Sequence, residues 1–363
     1  DWGSIEPSIF GTLFERGLDP SKRSQLGAHY TSKDDILLIV EPVLMAPLRR
    51  EWQVLKQEVT QLKALSANES EKKRAAALQK ISDRLRAFAD KIAATRVLDP
   101  ACGSGNFLYV ALRLLLDLQD EVIDTSDELG AGRFFITVSP AQLYGIEINE
   151  YAHELAQVTI WIGYIQWLVN NGYGLPSDPI LKRMDNIHHM DAILAFDAAG
   201  KPVEPEWPEA DVLVGNPPFL GGKRLRTEFR DTYIDSIFTL YDNRVPHEAD
   251  LVCYWFEKGR DQLQKNRVNR VGLLATQAIR GGANRKVLEQ IKAGGDIFWA
   301  QSDRDWILDG ANVHVSMVGF TIGQSINHEL DGRSVNAINS NLTAIADVTY
   351  AIRLKENSNK YDK

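Results

Sequence analysis

The stretch Asp99-Pro100-Ala101-Cys102-Gly103-Ser104-Gly105-Asn106-Phe107 follows a short apolar run, Arg96–Asp99, and opens into a periodic run, Phe107–Leu118. A buried strand therefore passes through a Gly-rich turn into a helix. Glycines at 103 and 105 let the backbone turn tightly and approach a ligand closely. The Gly-x-Gly-x-x-Gly dinucleotide fingerprint is absent, because Leu108 stands at its third position. The Gly-Lys-Ser/Thr ending of a phosphate loop is absent too. Asp99 puts a carboxylate at the lip of the turn, which suits a cationic or hydroxyl-bearing ligand better than a pyrophosphate.

Outward from this turn, apolar runs at Gln142–Glu147, Asp211–Gly215, Val271–Thr276 and Val315–Ile322 read as further buried strands. Helical periods at Tyr151–Val169 and Leu251–Lys265 fall between them. Alternation of this kind predicts an α/β fold with a mainly parallel sheet, covered on both faces. Ligands in such sheets lie beyond the carboxyl ends of the strands. Glu147 ends the second strand, where an acidic residue accepts hydrogen bonds from ribose hydroxyls, and Ile148 follows it. Asp191-Ala192 follows a third short apolar stretch, where Asp191 is placed to accept from an adenine amine. The ordered set of Gly-rich turn, Glu and Asp describes a site for a nucleoside without phosphates, and S-adenosylmethionine is such a ligand. His188-His189 is a poor metal pair, because adjacent strand residues point to opposite faces.

The fourth strand delivers Asn216-Pro217-Pro218-Phe219. Pro-Pro alone is an ordinary turn, but here Asn precedes it and an aromatic ring follows. The prolines stiffen the backbone and remove two N–H donors. The Asn216 side-chain oxygen and the Pro217 carbonyl are then two acceptors for the two donors of one amino group. Phe219 offers a flat face for stacking a base.

Composition bounds the rest. Of 363 residues, 44% are hydrophobic and 25% charged, so the chain reads as globular rather than disordered. No run approaches the roughly 20 apolar residues that span a bilayer, and the N-terminus lacks a signal peptide's charge pattern. Cys102 and Cys253 are too few for a disulfide framework or a zinc site, which favours the cytoplasm. A net charge of -8 argues against a protein that coats nucleic acid non-specifically, but permits a local basic groove. Residues 43–95 read as a helical hairpin insert, with Leu48, Trp52, Leu55, Val59, Leu62 and Leu65 on one arm and Ala75, Leu78, Ile81, Leu85 and Phe88 on the other. Residues 325–363 are polar and aperiodic, as a linker would be.

Together, the turn at 99–107 and Asn216-Pro217-Pro218-Phe219 resemble the amino-group DNA methyltransferases, with Asn pointing to the N6-adenine kind. Gly27-Ala28-His29-Tyr30-Thr31-Ser32 upstream resembles the segment that closes over the methionine end of S-adenosylmethionine in the gamma-ordered class. Trp2-Gly3-Ser4-Ile5-Glu6-Pro7-Ser8-Ile9-Phe10-Gly11 and the helical insert resemble the MmeI-like type IIL restriction–modification enzymes. The resemblance implies a class I S-adenosylmethionine-dependent methyltransferase fold, Rossmann-like, with a mainly parallel seven-stranded sheet. It implies that His29, Tyr30 and Thr31 contact the methionine part. Asp99, Ala101, Gly103, Asn106 and Phe107 then line the cofactor, with Glu147 and Ile148 at the ribose and Asp191 and Ala192 at the adenine. Asn216, Pro217, Pro218 and Phe219 become the catalytic residues. Residues 250–256 match a later motif packing on these pockets, and 309–316 occupy the place of another.

The implied substrate is an adenine flipped out of duplex DNA, with no metal and no histidine base. Lys223, Arg224 and Arg226, just after the catalytic turn, are candidate phosphate contacts. Further basic groups stand at Lys265, Arg267 and Arg270, and at Arg280, Arg285 and Lys286. The expected organisation is a cofactor-closing segment at 1–42, the insert at 43–95, a catalytic core at 96–324 and a linker at 325–363. A start at Asp1 and the lack of an Asp…Glu-x-Lys nuclease pattern suggest that a nuclease and a target-recognition domain lie outside this piece. Two other classes stay open: the same chemistry on RNA adenine or protein glutamine, and a non-catalytic cofactor-binding scaffold.

Overall fold

The computed structural model describes residues 31–174, 184–308, 311–325 and 327–345. Helix α1 (Lys33–Val40) runs through a π-helical turn into α2 (Ala46–Ser66), which pairs with α3 (Glu71–Ala94). Strand β1 (Val97–Asp99) leads to α4 (Asn106–Glu128), and β2 (Leu143–Glu147) to α5 (Glu150–Asn170). Next come β3 (Ile187–His189), the small β4 (Ala195–Phe196) and β5 (Pro202–Val203), and β6 (Val212–Gly215). Helices α6 (Leu225–Glu228), α7 (Asp231–Leu240) and α8 (Val252–Gln264) precede β7 (Arg270–Thr276) and α9 (Arg285–Gly294). The chain closes the sheet with β8 (Gly295–Leu308), β9 (Ala311–Ile322), β10 (His328–Leu330) and β11 (Arg333–Val335).

The main sheet has nine strands in the order β11-β10-β8-β9-β7-β6-β1-β2-β3. Strands β3, β2, β1, β6 and β7 are parallel neighbours. β9 enters antiparallel beside β7, and β8 pairs antiparallel with β9. This is the mainly parallel α/β sheet that the sequence predicts, widened by two short strands. Residues 328–335, expected to behave as linker, build that outer edge through β10 against β8.

Strand residues alternate between two cores, as period-two side chains must. Val97, Val212, Val214 and Leu274 face a core shared with α1 to α5. Leu98, Leu213, Leu273 and Ala275 face a second core, built with α7, α8 and α9. The helical insert is part of the first core: Trp52 stacks on Phe88 with ring centroids 5.7 Å apart, and Lys56 reaches Glu121 of α4 at 2.9 Å. Its apolar stripe stops short of the tip. Leu65 is 71% exposed and Ala75 is exposed, so these two apolar positions face away from the core. Among the described residues, no helix is long and apolar enough to cross a membrane.

The long strand β8 escapes a pattern reading. Asp303, Arg304 and Asp305 interrupt its apolar alternation, and register shifts at Ile297/Trp299 and Gln301/Arg304 break its ladder with β9. A bulged strand changes which face its residues occupy, so period-two matching fails there.

Candidate active site

β6, β1, β2 and β3 are neighbours in the sheet, so the segments after them meet at one edge. The Gly-rich turn follows β1. Gly105 takes φ 83° at the N-cap of α4, a left-handed conformation that strains any residue with a Cβ. A Cβ there would also lie 3.1 Å from the Ala156 backbone of α5. Cys102 N–H donates to the Ile146 carbonyl at 3.0 Å, lacing the turn to β2. The indole of Trp255 on α8 donates to the Pro100 carbonyl at 3.0 Å.

Glu147 stands at the tip of β2 and accepts from Gly103 N–H at 2.9 Å and Asn149 N–H at 2.7 Å. Each carboxylate oxygen has a second lone pair, so both can still accept from a diol. Burial raises the Glu147 carboxyl above its ordinary range, although the N–H groups of Asn149 and Gly103 pull it down. Ile148 is 53% exposed beside it. Asp99 is only 1% exposed. Burial pushes its carboxyl up to about 8, against the Ala101 N–H, with the Glu147 charge adding to the rise. Asn106, at the first position of α4, is buried with an Oδ1 that has no partner. Phe107 is buried behind it, and Ala101 is half-buried.

Asp191 follows β3. Its Oδ1 accepts from Ile193 N–H at 2.8 Å and Leu194 N–H at 3.2 Å, and its Oδ2 accepts from the Tyr233 hydroxyl at 2.7 Å. Burial drives the Tyr233 phenol far up, so it stays a donor. Ala192 is buried, and its carbonyl accepts from Trp207 Nε1 at 2.8 Å. Met190 N–H on the Glu147 carbonyl, 3.0 Å, joins this third segment to the second.

Asn216 follows β6. The preceding Gly215 lies so close to β1 that a Cβ on it would sit 2.5 Å from Asp99 Oδ1. The Asn216 amide nitrogen donates to Thr31 Oγ1 at 3.0 Å, while its Oδ1 is buried without a partner. Pro217 is buried, and Pro218 and Phe219 are half-buried. Trp306 of β8 meets Phe219 edge-on, with centroids 6.3 Å apart. After the turn, Leu251 N–H donates to the Leu220 carbonyl at 2.9 Å, and Gly222 N–H to Asp250 at 2.9 Å. Asn284 grips Asp250 from the other side, at 2.7 Å and 2.8 Å.

The structure thus places Thr31, Asp99, Ala101, Gly103, Asn106, Phe107, Glu147, Ile148, Asp191, Ala192 and Asn216 to Phe219 at this edge. His29, Tyr30 and the start of the 309–316 motif lie outside the described residues. Tyr233, Asn284 and Trp306 were not legible as site residues, because each reaches the site from an element distant in sequence with no local motif.

The three cations after the Asn216–Phe219 turn differ. Lys223 is exposed, with no ionic partner among the described residues. Arg224 pairs with Glu228 at 2.5 Å. Arg226 pairs with Asp231 at 3.2 Å and Asp235 at 2.7 Å, and lies over the Phe238 ring. Arg270 is not a surface cation: its guanidinium stacks 3.8 Å from the Phe298 ring. His189 is hydrogen-bonded to the Ile148 carbonyl at 3.0 Å.

Residues 69–330 match the family model described as MmeI, DNA-methyltransferase domain. The chain is 27% identical over 334 residues to DNA methyltransferase A of Bacillus subtilis strain 168, covering 88% of this chain and 34% of that protein. It superposes on the structure of the type IIL restriction–modification enzyme MmeI in complex with DNA with a TM-score of 0.75 and 26% identity, over 95% of this chain and 45% of that one. The DrdV–DNA complex shares the fold at a TM-score of 0.51 and 15% identity, over 89% of this chain and 29% of that one. The chain therefore spans about a third of the Bacillus relative and under half of MmeI. With most of its length covered by one family model, and its sheet and turns arranged as that match requires, the chain belongs to the MmeI DNA-methyltransferase domain family.

Proposed function

We propose that this chain is the methyltransferase portion of a restriction–modification enzyme and methylates the exocyclic amine of an adenine flipped out of duplex DNA. The observation that carries the reading is the buried, unpartnered Oδ1 of Asn216, one residue after β6 and beside the Gly-rich turn. An orphaned buried acceptor costs free energy unless a ligand supplies a donor.

The residues present fit S-adenosylmethionine. Glu147 has lone pairs left for two ribose hydroxyls, and Asp191 with Ala192 lies one strand further along for the adenine. Asp99, Asn106 and Gly103 surround the space by the turn, where Asn106 Oδ1 is a second orphan acceptor. When bound, this cofactor supplies an electrophilic methyl group on a cationic sulfur.

The protein's own work is positioning. A base inside a duplex is out of reach, and flipping it costs a few kcal/mol. Asn216 Oδ1 and the Pro217 carbonyl accept the two N–H donors of the amine, and Phe219 stacks on the ring. Those bonds turn the nitrogen lone pair toward the methyl carbon and hold it there. With the cofactor bound, the lone pair so held would take up the methyl group, and the sulfur would leave with the bonding pair as a neutral thioether. The surplus amine proton then passes to water, so no buried general base is needed.

Transfer of a tritiated methyl group to duplex DNA, RNA and protein acceptors tests the substrate class. Label recovered as N6-methyladenine from DNA is the expected result. Label in RNA or glutamine, or in another base, overturns it. Asn216→Ala should abolish transfer while cofactor affinity persists.

A further inference from the structure

We propose that Thr31 is the positioning residue for the catalytic amide, its hydroxyl holding the nitrogen end of Asn216 so that the oxygen end faces the target amine. The proposal rests on the function argued above and concerns the same site.

A carboxamide is nearly symmetric in shape and opposite in chemistry at its two ends: one oxygen accepts and one nitrogen donates twice. The side-chain torsion that exchanges them is broad and roughly two-fold. Nothing in the shape of an asparagine therefore prevents the amide from turning its NH2 toward the incoming amine. That orientation would set donors against donors and halt the reaction. A neighbour must choose.

Thr31 Oγ1 lies 3.0 Å from Asn216 Nδ2 and comes from a segment 185 residues away. Thr31 is 5% exposed, so this hydroxyl is shielded from competing water. With Nδ2 held by Thr31, Oδ1 remains as the buried acceptor without a partner. A hydroxyl can also donate, but in this structure the Thr31 contact is made to Nδ2, which leaves the oxygen end for an incoming amine. Thr31 thus holds the nitrogen end of the amide before any substrate arrives.

The hydroxyl can hold the amide only if its own position is fixed, and the segment that follows it is. Ser32, the next residue, caps α1 by accepting from Asp35 N–H at 3.2 Å, and its hydroxyl donates to Asp35 Oδ2 at 2.6 Å. Ile36 N–H closes the first turn on the Ser32 carbonyl at 2.9 Å. Asp35 is held in turn by Arg304 of β8 at 3.1 Å. On the other side, Gly215 packs against Asp99 and fixes the Asn216 backbone. The capped helix therefore presents Thr31, and the β1–β6 contact presents Asn216.

The test compares the full chain with Thr31→Val, which keeps the shape and removes the hydroxyl, and Thr31→Ser, which keeps the hydroxyl. Methyl transfer to duplex DNA is measured as kcat and KM separately, and cofactor Kd by calorimetry. Side-chain NH2 exchange of 15N-labelled asparagine, assigned to Asn216 by its loss in Asn216→Ala, is followed in the free protein. Thr31→Val should lower kcat by roughly 10- to 100-fold, the scale of a misplaced reacting group. Its KM and cofactor Kd should stay within about twofold, and the protected Asn216 N–H should exchange faster. Thr31→Ser should restore both kcat and protection. Unchanged kcat in Thr31→Val, or unchanged exchange, overturns the proposal while leaving the function intact. A kcat loss matched by an equal loss of cofactor affinity also overturns it, in favour of a cofactor contact. A wild-type chain that methylates no adenine overturns both readings together.

Discussion

The indole N–H of Trp255 donates to the carbonyl of Pro100 across 155 residues, so helix α8 holds the outer wall of the Gly-rich turn. Both groups are buried. Trp255→Phe keeps the ring and removes the donor, leaving a buried carbonyl unpaired. A cost of about 1–3 kcal/mol in urea unfolding follows. Cofactor affinity should fall with it, because the turn loses its tether. Wild-type stability in this variant would mean that the bond does not hold the turn.

The contact between Gly215 and Asp99 makes a second expectation. A methyl at Gly215 meets Asp99 Oδ1 at 2.5 Å and its Cγ at 3.2 Å, and that oxygen is held by the Ala101 N–H at 3.0 Å. Gly215→Ala should cost about 1–3 kcal/mol by overpacking. It should also slow methyl transfer, because Asn216 is displaced with its neighbour. Gly281→Ala is the control: nothing lies within 4 Å of its added methyl, and its backbone is extended. Thermal unfolding of the two variants side by side separates them.

Asp99 gives the chain a pH dependence of defined sign. Burial raises its carboxyl from an ordinary 3.8 to about 8, so the folded chain binds that proton more tightly than the unfolded chain. Stability from this group is full below the lower value and is lost as pH rises toward the upper one. Glu147, also raised by burial, slopes the same way. Asp99→Asn should therefore flatten the fall of the urea midpoint between about pH 5 and about pH 8. An unchanged slope would assign the dependence to other groups.

Cations near the catalytic turn should not contribute equally to DNA binding. Among the described residues Lys223 has no carboxylate to leave, whereas Arg226 must leave Asp231 and Asp235. Lys223→Ala should reduce the salt dependence of DNA affinity by about one unit of slope, as loss of one phosphate contact does. Arg226→Ala should change it less. Fluorescence anisotropy over a salt series reads both, and equal slopes would remove the distinction.

Much of this architecture is written in local patterns. Phe107–Leu118 and Tyr151–Val169 show their helical period plainly, and the structure extends the first to Glu128. The runs ending at Asp99, Glu147 and Gly215 mark their strands because buried parallel strands are apolar throughout. β8 was illegible because its charged middle and bulges obey no single period. The edge strands β10 and β11 were illegible because three-residue strands carry too little pattern. The apolar tip of the helical insert misled for the opposite reason, since Leu65 keeps the period but has nothing to pack against.

The site divides in the same way. Asn216-Pro217-Pro218-Phe219 and the 99–107 turn are contiguous, and their chemistry follows from residue types a few positions apart. The amino-acid sequence by itself therefore determines the α/β class, the strand-end placement of Glu147 and Asp191, and the pairing of a Gly-rich turn with an Asn-Pro-Pro-Phe turn. Tertiary structure alone decides that Tyr233 meets Asp191, that Asn284 clasps Asp250 and that Thr31 meets Asn216. Each is one or two hydrogen bonds between segments separated by 34 to 185 residues. No local period encodes them, because their geometry exists only once the sheet has brought the segments to one edge.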